Sequence, residues 1–150
     1  MMPRGHGGRQ QSTVSTRVAS SRMDRLDHDD FPLRRFLGMD MEVVEPGHAV
    51  TRLRISETHL NPNGVVHGGV LFTMIDTGMG LAAVTMLDGD RCASIEVHLR
   101  FLSPATLGLV EAHSTVVRRG RRVVHVESRV HDDAGTLVAT GTGTFAVVSA

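Results

Sequence analysis

The sequence predicts an α+β domain in which an antiparallel β-sheet wraps around one long, central, apolar helix. Three observations carry that expectation. Residues 61–87 open with turn formers, pass through His67-Gly68-Gly69 and then run apolar for about twenty residues, with one charge among them, Asp76. Strand-like stretches flank that run, two before it and four after it, joined by turns rich in Gly, Pro and Asp. At 150 residues and 41% hydrophobic content, the chain is long enough to bury one core and short enough to need only one.

Residues 1–27 are rich in Gly, Ser, Gln and Arg and show no apolar period, so they read as a disordered tail ahead of a domain spanning 28–150. Up to Met23 the tail has Arg but neither Asp nor Glu, which suits a transit peptide as well as an untidy tail or a start upstream of Met23. Asp29-Asp30 before Pro32 make a helix start, and Gly38 ends that short helix. Residues 39–44 and 49–55 form a hairpin around Glu45-Pro46-Gly47-His48. The long helix follows over 68–86 and is stopped by Asp88-Gly89-Asp90. Gly78 and Gly80 lie inside it at a cost of about 1 kcal/mol each against Ala, which makes sense where another backbone packs closely.

Four strands come next. Over 93–102, Ala93, Ile95, Val97, Leu99 and Phe101 alternate with Ser94, Glu96, His98 and Arg100, predicting one buried and one polar face. Residues 107–117 form the next strand, and Arg118-Arg119-Gly120-Arg121-Arg122 is a tight basic turn. The strand over 123–131 sets Val124, Val126 and Val130 against His125, Glu127, Arg129 and His131. Asp132-Asp133-Ala134-Gly135 is a hairpin signal, and 136–148 is the last strand.

A formal net charge of zero argues against a dedicated nucleic-acid binder. One cysteine, Cys92, allows no internal disulfide and argues against a Cys-based zinc site; it reads as a small buried residue. No apolar core of a secretory signal is visible, and the expected setting is cytoplasmic. The 68–87 run is about long enough to span a bilayer, but it holds Asp76 near its centre and has no flanking Lys or Arg cluster, so it reads as a buried core helix.

The chemistry centres on two places in that run. A carboxylate inside a buried segment costs several kcal/mol unless it is paired, hydrogen-bonded or protonated, so Asp76 either caps backbone N–H groups or does chemistry. His67-Gly68-Gly69 sits at the helix N-terminus, where unpaired N–H groups and the positive end of the macrodipole suit a carbonyl that develops negative charge, although Gly-Gly there also makes a tight entry turn. Gly68 and Asp76 are eight residues apart, about 12 Å at 1.5 Å per residue. They can cooperate only if a second copy, its helix antiparallel, supplies one of them, with Gly78 and Gly80 permitting close approach. His67 and Asp76 are likewise too far apart to share a metal.

The spacing Asn61-x-x-Gly64-x-x-His67-Gly68-Gly69, with Asp76 nine residues after the His, resembles the hotdog-fold acyl-CoA thioesterases of the phenylacetate-degradation type, within the 4-hydroxybenzoyl-CoA thioesterase superfamily. Ser94 to Ala105, the arginine turn, and Gly135 to Ala139 leading to Gly143-Thr144-Phe145 extend the resemblance over residues 35–148. It implies hydrolysis of an acyl- or aryl-CoA by homodimers that commonly pair into tetramers, with no cofactor, nucleic acid or membrane involved. It further implies that Asp76 is the nucleophile or general base and that the Gly68 N–H polarises the carbonyl, with Gly69 beside it. Asn61 would orient water or the carboxylate, and Ser94 would support it. His67 would act as a cap or a thioester neighbour. Arg118, Arg119, Arg121 and Arg122 would offer a basic rim to the phosphates of CoA. Acyl-binding walls are expected from Phe72, Met74, Met79 and Met86. Two other readings stand beside this one: a non-catalytic acyl-CoA-binding protein, and a hydratase, whose chemistry wants a His and a carboxylate paired at one site.

Overall fold

A computed structural model of the chain describes residues 31–149; the tail expected over 1–27 lies outside the described residues. A short helix, α1 (Pro32–Leu37), has proline at its first position, where the missing N–H is not needed, and ends at Gly38 in the left-handed region with φ 66°. Strands β1 (Met39–Glu45) and β2 (His48–Arg54) form the expected hairpin. A single 3-10 turn (Glu57–His59) and a loop lead into α2 (Gly68–Val84). Four strands follow: β3 (Arg91–Phe101), β4 (Leu109–Arg119), β5 (Val123–Asp132) and β6 (Leu137–Val148).

All six strands join one antiparallel sheet in the order β1-β2-β4-β5-β6-β3. The sheet curls around α2, which packs against every strand. Burial follows the strand period. On β5, Val124, Val126, Ser128 and Val130 are buried and the residues between them are exposed, as the alternation predicts. Met74, Ile75 and Met79 of α2 have no exposed surface and meet this inner face. Each contributes about 1.5–3 kcal/mol of burial. The core also holds hydroxyls, all of them partnered. Ser114 donates to Ser128 at 2.9 Å, and Thr51 donates to the Met74 carbonyl at 3.0 Å. Among the described residues no buried side-chain N or O lacks a hydrogen bond.

Two expectations about packing are corrected. Gly78 does not serve a neighbouring helix: a Cβ there would lie 2.7 Å from Ser114 Oγ and 3.4 Å from Thr51 Cγ2, so it is the chain's own sheet that needs the space. Gly80 likewise faces Phe145. Gly141 and Gly143 of β6 complete the fit, since a Cβ on either would collide with Ile75 or Met79. Glycine on both sides of this contact lets helix and sheet approach more closely than alanine would allow.

The second correction concerns β3. Its register shifts between Ser94 and Glu96, leaving Ile95 as a bulge. A one-residue bulge swaps the faces of everything beyond it. Before the bulge, Cys92 and Ser94 point at α2, with bonds to the Gly80 carbonyl and to Asp76. After it, Val97 and Leu99 take that face, opposite Gly143 and Gly141. The unbroken alternation therefore put Ser94 on the wrong side. β3 is also an edge strand with one neighbour, β6, and Ile95 and Phe101 remain 60% and 59% exposed instead of buried.

Candidate active site

The start of α2 is built by a small closed loop. Leu60 and Val66 form an isolated antiparallel bridge, and the Asn61 N–H donates to the Val65 carbonyl at 2.8 Å. Asn61 Oδ1 accepts the Asn63 N–H at 2.8 Å, an Asx-type turn, and the His67 N–H donates to the His59 carbonyl at 2.8 Å. His67 is the N-cap of α2: its Nδ1 accepts the Gly69 N–H at 2.9 Å, and its carbonyl accepts from Val70 and Leu71 at 2.9 and 3.4 Å. The first turn is thereby satisfied except at one place. The Gly68 N–H has no partner among the described residues. Of the two glycines expected to face a substrate, Gly68 keeps its donor and Gly69 has spent its own on the cap.

Phe101, at the far end of β3, covers this point. A Cβ on Gly68 would sit 3.0 Å from the Phe101 ring, so only glycine lets the ring lie so near the free N–H. Phe72, one turn along α2, is 42% exposed beside it. Of the four residues expected as walls, Phe72 and Met86 keep exposed surface, whereas Met74 and Met79 are core residues with none. The helix faces decide this, because 74 and 79 point into the sheet.

Asp76 is not buried as an all-round apolar helix would require. It is partly exposed, on the flank that carries Gly69, Phe72 and Thr73. These positions recur at helical spacing, so they form one stripe that the chain's own sheet leaves open. Asp76 Oδ1 accepts a hydrogen bond from Ser94 Oγ at 2.8 Å. Cys92 lies just behind, its thiol pushed up by burial first and by the Asp76 charge second. No hydrogen bond joins Asp76 to Asn61, His67 or Gly68 among the described residues.

Arg118 and Arg119 end β4 and Arg121 and Arg122 form the turn after it; all four are exposed. The Arg122 carbonyl accepts from Val147, which pairs with Cys92, so this turn lies at the Asp76 end of β3, away from Gly68. A cleft of about 360 Å³ opens on the other face of the sheet, around Glu96, His98, His125 and Glu127. Glu96 is bound there to Thr144, with His98 Nε2 at 3.3 Å, and its carboxyl is held below the usual range by His98 first and Thr144 second. The cleft is turned away from Asp76. Among the described residues, no three His, Cys, Asp or Glu side chains are grouped to hold a metal ion, and no helix is long and apolar enough to cross a membrane.

Two residues at the site escaped the sequence reading. Phe101 looked like a core position by alternation. His59 carried one signal, its place three residues after Ser56 at the head of a helical turn, the spacing of a capping pair.

A six-stranded antiparallel sheet closed around one helix, with a free N–H at the helix start and a carboxylate two turns on, is a hotdog fold of the thioesterase kind. The thioesterase superfamily model matches residues 63–139, and the chain belongs to that family; it is a thioester hydrolase. An esterase candidate of Saccharolobus solfataricus is 32% identical over 114 residues, covering 76% of this chain and 81% of its own. Human acyl-coenzyme A thioesterase 13 is 28% identical over 100 residues, covering 64% of this chain and 70% of its own. Among solved structures, a phenylacetic acid degradation-related protein of Ralstonia eutropha superposes with a TM-score of 0.74 at 34% identity, covering 85% of this chain and 98% of that one.

Proposed function

We propose that the protein hydrolyses acyl- or aryl-CoA thioesters at two equivalent sites, each shared between two copies of the chain. The observation that carries this is the spacing on α2: an unclaimed Gly68 N–H and, about 12 Å along the same helix, Asp76 held by Ser94. One thioester cannot touch both within a single chain. Two copies with α2 side by side and antiparallel bring Asp76 of one to Gly68 of the other. The seam is β3, an 11-residue edge strand whose exposed Ile95 and Phe101 a second copy would cover.

In this site the substrate carbonyl accepts the Gly68 N–H. Asp76 either takes a proton from the attacking water or attacks the carbonyl carbon itself, giving an anhydride that water opens. On both routes negative charge grows on the carbonyl oxygen beside Gly68 and the helix N-terminus. The C–S bond breaks as the tetrahedral intermediate collapses, to the free acid on the water route and to the anhydride on the nucleophilic route, where water then releases the acid and restores Asp76. On both, the electron pair leaves with the CoA sulfur, which takes up a proton. Asn61, on the loop that carries Gly68, orients the water or the carboxylate. This chemistry needs a carboxylate, a water and an N–H donor, and no cofactor. The arginine turn lies at the Asp76 end of its own chain and so beside the partner's Gly68, where Arg118, Arg119, Arg121 and Arg122 meet the phosphates of CoA. Pairing of two dimers and a reducing cytoplasmic setting, which suits the free thiol of Cys92, belong to the same reading.

Subunit mixing tests it. Gly68→Pro deletes the N–H at a helix position that tolerates proline, and His67, with φ −63° and ψ 135°, already has the backbone that precedes proline. Gly68→Ala is its partner variant: it adds the Cβ but keeps the N–H, so the ratio of the two reads the donor. Asp76→Asn removes the carboxylate. A dimer of one Gly68→Pro chain and one Asp76→Asn chain holds one intact site of two. Unfolding and refolding the two inactive proteins together in equal amounts is therefore expected to restore about a quarter of wild-type CoA release. No recovery, with mixed dimers verified by mass, would sink the shared site.

A further inference from the structure

We infer that His59 is a positioning residue for thioester hydrolysis, acting through the loop that presents the Gly68 N–H. The inference rests on the reading of that N–H as the carbonyl's donor. His59 is a buried titratable residue, 5% exposed, that the mechanism above does not use. Its ring is held at both nitrogens. The Ser56 N–H donates to Nδ1 at 3.0 Å, so the ring proton sits on Nε2, where the Leu37 carbonyl accepts it at 2.9 Å. One ring thus ties the end of α1 to the head of the 3-10 turn. Leu37 is itself well anchored: Gly38 and then Met39, 2% exposed, follow it directly into the sheet.

The backbone of the same residue reaches the site. The His59 carbonyl accepts the His67 N–H at 2.8 Å, closing the stem of the small loop just outside the Leu60–Val66 bridge. Asn61 is on one arm of that stem, and His67 and Gly68 leave from the other. Among the described residues, one other hydrogen bond ties the loop outward. Asn61 and Asn63 bond within it, and Val66 makes one bond outward, to the Ala105 carbonyl at 2.8 Å. His59 therefore sets where the loop sits relative to the sheet, and with it the direction of the unpaired Gly68 N–H. An oxyanion donor must point at the place where charge develops, and a misplacement of about 1 Å can cost on the order of 100-fold.

The test is a double-mutant cycle on the full chain with hexanoyl-CoA, reading thiol release. His59→Leu removes both ring bonds. It is expected to lower kcat on the order of 10- to 100-fold while KM changes by less than about threefold. His59→Gln can still accept the Ser56 N–H, as Gln does at this helix position, and is expected to recover part of that loss. In a Gly68→Pro background, His59→Leu is expected to cost nothing further, because the donor it aims is already gone. An equal loss in both backgrounds would overturn the inference, as would wild-type kcat in His59→Leu. Should His59→Leu fail to fold by circular dichroism, the same cycle is run with His59→Gln, and an equal loss in both backgrounds overturns it in the same way. Wild-type activity in Gly68→Pro alone would remove the donor reading instead, and the His59 inference with it.

Discussion

On its inner flank α2 carries Met74, Ile75, Gly78, Met79 and Ala82, all buried against the chain's own sheet. On its outer flank it carries Gly69, Phe72, Thr73 and Asp76, all at least partly exposed beside an edge strand. The inner flank is closed packing: glycines where backbones meet, methionines filling the gaps, every hydroxyl partnered. The outer flank is open, and it holds the helix's only charge. One helix thus divides two tasks. Under the proposed mechanism, changes on one side are expected to register as stability and changes on the other as catalysis, because packing energy requires burial whereas chemistry requires access.

The largest effect separating the two flanks is expected from Asp76→Asn. CoA release should fall on the order of 1,000-fold through loss of the carboxylate. The thermal midpoint should move by less than about 3 °C, since Asp76 is partly exposed and supports no core contact. Retained activity would break the comparison on its chemical side. Met79→Ala is the mirror experiment. It empties a site with no exposed surface and should cost about 2–5 kcal/mol in urea unfolding, while kcat per folded molecule stays within about threefold. A deep loss of kcat at unchanged stability would show that the inner flank also does chemistry.

Ser94→Ala sharpens the boundary. It deletes the 2.8 Å hydrogen bond to Asp76 and should lower kcat about tenfold, equivalent to about 1.4 kcal/mol, with little change in KM. The smallest effect is at Cys92, which lies between the flanks. Its thiol pKa is raised by burial first and by Asp76 second. The fold therefore favours the protonated thiol. That contribution is complete below the ordinary thiol range and is lost as pH rises from there through the raised pKa of the folded protein, because the unfolded chain ionises first. The urea midpoint of the wild type should drop more between pH 7 and pH 9.5 than that of Cys92→Ala. Alkylation of Cys92 should become faster at a given pH in Asp76→Asn, where one of the two causes is gone.

Most of the fold was legible in the sequence because its signals are local. The hairpin at Pro46-Gly47, the stop at Gly38, the alternation of β5 and the Asp132 turn depend on neighbours a few residues apart. The failures were all non-local. Ile95 continues the alternation of β3, and nothing in 93–102 marks it as a bulge; the register against β6 makes it one. Gly78 reads equally well as room for a partner helix or for Ser114, which lies 36 residues further along the chain. His59 is a single polar residue in a loop until Leu37 and Ser56 are brought to its two nitrogens.

The sequence alone therefore determined the α+β class, the order of elements, the family-like spacing from Asn61 to Asp76, and the separation of Gly68 from Asp76, which is fixed by the rise of a helix and needs no tertiary information. The tertiary structure alone decided which face of each element is open. It turned Ser94 toward Asp76, left the Gly68 N–H as the one donor of the first turn unclaimed among the described residues, and sent Met74 and Met79 into the core while Phe101 stayed at the site. The physical reason is that helical rise and strand period are properties of the backbone, whereas exposure and hydrogen-bond vacancy depend on what the rest of the chain packs against them.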